Sequence, residues 1–195
     1  MNARTLIDAL LLWEATGSQI AQAARETSEL LAKNGIPNLV AGGLAVQMHG
    51  YARFTGEVDL IVPDVEKAHE LLILRGFRRS SSKMLCVIHP LNVEVDLLPA
   101  GRCLEPSSQV PFPEAQDRQA VMQPVSLEEL IALKLDSYTR RPELRSQDGA
   151  DVRKLIINNH LPRDLEIHSA MAERYREMWD RINTERLSLG EPPES

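Results

Sequence analysis

One stretch constrains this chain more than any other: Ala41 to Val62, A-G-G-L-A-V-Q-M-H-G-Y-A-R-F-T-G-E-V-D-L-I-V. A short apolar run meets the glycine pair Gly42–Gly43, a helical segment ends near Gly50, and a strand-like run then carries Glu57 and Asp59 two residues apart. Strand side chains alternate between faces, so these two carboxylates share one face. Adjacent carboxylates repel unless a positive charge lies between them, and a divalent metal is the usual solution. Glycines at a strand-to-helix junction let backbone N–H groups approach a phosphate. Acids that can hold metal beside a phosphate cradle point to phosphoryl or nucleotidyl transfer.

The string G-G-x-A-V-x-x-H-G-x-x-R-x-T-x-(acid)-x-D, with thirteen residues between the glycines and the acid pair, resembles the signature of the nucleotidyltransferase fold. It is most similar to the small bacterial members grouped with abortive-infection and toxin–antitoxin nucleotidyltransferases. The resemblance covers roughly residues 35–157. It implies two Mg²⁺ ions held by Glu57 and Asp59, with an NTP as substrate. It places a third carboxylate on a neighbouring strand. Asp96 is the best match, with Glu94 as fallback; Asp96 would complete the metal shell or take the proton of the attacking hydroxyl. Gly42 and Gly43 would hold the triphosphate. Arg53 would neutralise phosphate, and Thr55 would hydrogen-bond its own loop, unless both simply fix the turn before the strand. One departure stands out. The first acid is usually Asp, and the longer Glu57 changes the reach toward a metal that demands near-ideal octahedral geometry.

Lys134 is unusual on helical geometry alone. At 100° per residue, Leu127, Leu130, Ile131 and Tyr138 surround its angle. A lysine at the centre of an apolar face must snorkel or find an anion. A nucleotide phosphate is one candidate; Asp148 or Asp151, three apart on the next helix, is the other. His49 reads as a residue that caps or packs its helix end.

The pattern predicts an α+β fold with a small mixed sheet flanked by helices. Residues 1–34 form N-terminal helices packing on the core, 35–125 the α/β core, 126–189 a C-terminal helical subdomain and 190–195 a disordered tail. Strands are expected at 38–41, 57–62, 77–80, 84–89 and 92–98. Helices are expected at 4–16, from a Ser18 cap to Lys33, 44–49, from an Asp64 cap to Arg75, from a Ser126 capping box to Thr139, 147–157 and 163–187. The segment 100–119, with Pro106, Pro111 and Pro113, reads as a long functional or mobile loop.

Composition narrows the partners. A net charge of −6 opposes coating nucleic acid through phosphate contacts, without excluding a local basic patch. Cys86 and Cys103 lack metal spacing and read as reduced or buried thiols of a cytoplasmic protein. No apolar run reaches the ~18 residues of a membrane span. The five histidines are scattered, and a Walker-type phosphate loop is absent. The expected activity is transfer of a nucleoside monophosphate from an NTP to a hydroxyl on an RNA, a small molecule or a protein. The alternative is a catalytically weakened binding protein in a two-protein, toxin–antitoxin-like system. A homodimer using the apolar N-terminal helix is a further option.

Overall fold

The computed structural model describes residues 19–189 except 82 and 118. The helix expected at 4–16 with its interface role, the Ser18 cap and the tail at 190–195 lie outside the described residues. A five-stranded mixed sheet has the order β1-β2-β5-β4-β3. Its strands are β1 (Leu39–Val40), β2 (Glu57–Val62), β3 (Arg78–Arg79), β4 (Cys86–Ile88) and β5 (Glu94–Pro99). Among the described strands β2 and β5 pair in parallel, and the other neighbours are antiparallel. The helices are α1 (Gln19–Lys33), α2 (Gly42–Met48), α3 (Val65–Leu74), α4 (Leu127–Arg140), α5 (Ser146–Asn158) and α6 (Ala172–Ser188), with a 3₁₀ turn at Ser169–Met171. This is the α+β arrangement that the sequence pattern predicts.

The sheet separates two apolar cores. Val58, Leu60, Val62, Val95 and Leu97 pack with residues of α1 and α3, including Leu31, Ala68 and Leu72. Ile61, on the alternate face of β2, joins Leu130, Leu135, Leu155 and Tyr175 of the C-terminal helices. Glu57 and Asp59 share that alternate face, so the alternation that fills one core aims both acids toward the side of α4 and α5.

Local signals act where the sequence places them. Asp64 accepts from Lys67 N at 2.9 Å to start α3, and Gly76 follows its end at φ 94°. Ser126 and Glu129 form a reciprocal capping box on α4. Two expectations need correction. Helix α2 begins at Gly42 rather than at Leu44, so the glycines form its first turn. The last helix begins at Ala172, not Arg163. Residues 163–168 stay non-helical because Tyr175 Oη and Trp179 Nε1 donate to the carbonyls of Pro162 and Leu161, at 2.8 and 2.9 Å. That draws the segment across α6, where Leu165 and Ile167 pack on the core.

The loop at 100–119 is strapped to the domain. Gly101 N donates to Phe112 O, and Phe112 N donates to Arg102 O, both at 2.9 Å. Ser108 Oγ and Gln109 N donate to the buried Asp136 of α4, and Val110 and Ala115 enter the core.

Candidate active site

The parallel register of β2 and β5 sets Glu57 beside Glu94 and Asp59 beside Asp96. Neighbouring strands lie about 4.8 Å apart, so four carboxylates occupy one small area of one face. Glu57, Asp59 and Asp96 each offer an oxygen, and these oxygens lie within 4.8 Å of one another. The three predicted acids therefore converge.

Two features suit this trio to a hard cation. The donor set is entirely oxygen, as Mg²⁺ prefers. One Asp96 oxygen, Oδ1, is buried and accepts no hydrogen bond. The second grouping on this face, Cys86 with Glu94 and Asp96, suits Mg²⁺ poorly. Burial, with the Asp96 carboxylate beside it, pushes the Cys86 thiol up to about 12, so it stays protonated and is a poor ligand. Asp59 is also perturbed. Burial raises its carboxyl to about 7, aided by the charges of Glu57 and Asp96 and opposed by Lys134 and Lys83. Such a shift arises where like charges are confined in a desolvated place.

The diglycine bend meets the acids directly. Gly42 has φ +57°, and a Cβ there would stand 2.6 Å from Asp59 Cγ. At Gly43 a Cβ would stand 2.7 Å from Thr55 Cβ and 3.2 Å from an Arg53 terminal nitrogen. Both glycines are thus required by close packing, whatever else they bind. Thr55 Oγ1 donates to Glu57 O at 3.3 Å, a bond within its own loop.

Arg53 and Lys134 both reach Asp151. Arg53 grips it in bidentate fashion, Nε to Oδ1 at 2.6 Å and a terminal nitrogen to Oδ2 at 2.8 Å. Lys134 Nζ lies 2.6 Å from Asp148 Oδ1 and 2.8 Å from Asp151 Oδ2. The aspartates on α5 thus hold the Lys134 ammonium. Burial alone would raise the Asp151 carboxyl, but Arg53 and Lys134 hold it below the usual carboxylate range. His49 closes α2, with Nε2 2.7 Å from Val125 O; burial lowers its pKa and keeps it neutral.

These groups border one cleft of about 390 Å³. Gly42, Gly43, Arg53, Thr55, Glu57, Asp59 and Lys134 all line it, and Asp96 lies beside Asp59 on the neighbouring strand. A groove of about 700 Å³ among α4, α5 and α6, lined by Tyr138, Arg153, Arg174 and Arg181, contains none of the acids.

Two features of the cleft escape strand and helix periodicity. Lys83, in the connection between β3 and β4, places Nζ 2.9 Å from Glu57, 2.9 Å from Asp96 and 3.2 Å from Glu94. Nothing in strand alternation assigns a partner to a residue in a hairpin connection. Phe54 and Leu144 border the cleft while being 85% and 81% exposed. An aromatic next to Arg53 and Thr55 was the available signal for Phe54.

No family model matches the sequence, and no curated protein matches it. Solved structures do, among them the solution structure of antibiotic-resistance factor ANT(2'')-Ia. It superposes with a TM-score of 0.51 at 15% identity, covering 89% of this chain and 97% of that one. The fold is nucleotidyltransferase-like. A crystal structure of ANT(2'')-Ia in complex with adenylyl-2''-tobramycin also aligns, with a TM-score of 0.48 at 15% identity over 78% of this chain and 94% of that one. At this identity the likeness is one of fold, and the chemistry has to be argued from the cleft. Among the described residues, no helix is long and apolar enough to cross a membrane.

Proposed function

We propose that this protein is a metal-dependent nucleotidyltransferase that moves a nucleoside monophosphate from an NTP to a hydroxyl acceptor and releases pyrophosphate. One observation carries the reading: Glu57 and Asp59 line the cleft beside the diglycine bend, and Asp96 converges with them. Glu57, Asp59 and Asp96 would hold Mg²⁺, which when bound neutralises and aligns the reacting phosphates.

The chain's own groups divide the remaining work. The first N–H groups of α2 have no intrahelical acceptors, and Gly42, which is half-buried and lines the cleft, is where a phosphate oxygen would meet them. Lys134, which lines the cleft, spends two of its three N–H donors on Asp148 and Asp151 and keeps one for a phosphate oxygen. Arg53 supplies positive charge from a fixed position, since Asp151 pins its guanidinium. Phe54 and Leu144 offer apolar faces at the cleft mouth, and a nucleobase is the substrate part that stacks on such a surface. In the transfer, the acceptor oxygen bonds to the α-phosphorus as the bond to pyrophosphate breaks. Where Asp96 is not spent on the metal shell, it is the acid that accepts the hydroxyl proton.

The test is calorimetric titration of NTPs with and without Mg²⁺, paired with pyrophosphate release. Tight Mg²⁺-dependent NTP binding that Asp59→Asn abolishes supports the reading; no binding with any NTP removes it.

A second reading has one observation behind it. Glu57 departs from the usual Asp and already shares a cation, Lys83, with Asp96. On that reading the fold is a catalytically weakened binding protein of a two-protein, toxin–antitoxin-like system. A stoichiometric co-purifying partner without turnover favours it, and turnover on any hydroxyl acceptor rejects it.

A further inference from the structure

The position of Lys83 bears on how a metal reaches the acids. Its ammonium lies 2.9 Å from Glu57 Oε2 and 2.9 Å from Asp96 Oδ2, both members of the oxygen trio. A magnesium ion binds its oxygens at about 2.0–2.1 Å. An ion drawing on these two carboxylates would sit within a few ångströms of the ammonium, where like charges repel strongly in a partly desolvated place. Both cations cannot occupy that spot. Lys83 is free to leave it: its side chain is 42% exposed, and it lies in a connection rather than in a strand. It also has somewhere to go. Glu94 Oε2 is 3.2 Å from Nζ, and Glu94 is not part of the trio.

We propose that Lys83 is a resident counter-ion that holds the metal seat in the free protein and yields it by retreating to Glu94. The inference rests on the metal-binding reading above and adds a rule of order. A divalent ion alone must displace Lys83 unaided and binds weakly. An ion arriving with an NTP brings a polyanion that offsets the second positive charge, so metal and nucleotide enter together. Glu94, the fallback for the third acid, is then the anchor of the displaced lysine.

The experiment is titration of Mg²⁺ and of Mn²⁺ into the metal-free, full-length protein without nucleotide, followed by calorimetry, for wild type, Lys83→Met, Lys83→Arg and Glu94→Gln. Lys83→Met is expected to tighten metal binding by about tenfold or more, and Lys83→Arg to leave it near wild type. A second readout needs no activity. Mass spectrometry should show that metal increases the acylation of Lys83 by an amine-reactive reagent, and more so in Glu94→Gln, where the lysine has lost its second anchor. Equal or weaker metal binding by Lys83→Met overturns the proposal, as does unchanged Lys83 labelling when calorimetry finds metal bound. If wild type and every variant fail to bind metal even with NTP present, the metal-binding reading falls as well. Tight wild-type binding unaffected by Lys83→Met overturns this inference alone.

Discussion

A Cβ on Gly42 would stand 2.6 Å from Cγ of Asp59, so the bend and the half-buried acid occupy adjoining space with none to spare. The same glycine has φ +57°, where an L side chain costs about 1–2 kcal/mol. Gly42→Ala therefore has two effects. It strains the backbone by that amount and pushes the Asp59 carboxylate away from Glu57 and Asp96. The expected result is a modest loss of stability in urea melts together with a large loss of Mg²⁺-dependent NTP binding by calorimetry. Unaltered binding would mean that Asp59 does not need its present position.

Asp151 is fully buried and serves Arg53, Lys134 and Gln147 together. Removing one partner of a buried ion pair leaves uncompensated charge, which costs about 3–5 kcal/mol. Asp151→Ala is expected to destabilise by that amount, since it removes the carboxylate that grips Arg53 in bidentate fashion. Asp148→Ala should cost clearly less, because Lys134 retains Asp151 and Asp148 is partly exposed. Chemical denaturation of the two variants checks the ranking. The reverse order would show that the network is centred on Asp148.

Much of this site can be read from residue order, because two of its rules are local. A period of two puts Glu57 with Asp59 and Glu94 with Asp96, and a period of 3.6 exposes Lys134 as a charge on an apolar face. What joins these groups is not local. The parallel register of β2 against β5 decides that Asp59 neighbours Asp96, and no turn fixes that register. Arg53 and Asp151 are 98 positions apart, so their bidentate pair is visible only after the helices pack. Lys83 belongs to no periodic element, and periodicity says nothing about where its ammonium goes. The late start of α6 was hidden for a similar reason, because tertiary bonds from Tyr175 and Trp179 overrode the helical preference of residues 163–168.

The raised carboxyl of Asp59 makes the stability of the metal-free protein depend on pH. Its usual value is 3.8, and in the fold it is about 7. Between these values the folded chain retains a proton that the unfolded chain has lost. The stabilisation from the neutral acid is therefore complete below about 3.8 and disappears as pH rises through 7. Asp151 acts in the opposite sense, since its depressed carboxyl stabilises above the ordinary value and fails as acid is added. The difference between wild type and Asp59→Asn isolates the first effect. Urea melts of the metal-free proteins should show wild type losing stability relative to Asp59→Asn from pH 4 to pH 7. A flat difference would indicate that Asp59 titrates normally.

Phe54 is 85% exposed on the rim of the cleft that holds the acid pair. An exposed aromatic contributes little to folding, and surface substitutions usually change stability by within about 0.5 kcal/mol. Base stacking on an aromatic is worth about 1–3 kcal/mol. Phe54→Ala should therefore leave thermal melting almost unchanged and weaken NTP binding by about tenfold. The contact is made equally before and during transfer, so KM should rise while kcat at saturating NTP stays near wild type. Leu144→Ala, on the same rim, should act in the same direction but less strongly, because an aliphatic side chain has no π face to stack. If Phe54→Ala lowers the melting temperature and leaves nucleotide affinity intact, the ring supports the loop between Arg53 and Thr55, and the base is held elsewhere in the cleft.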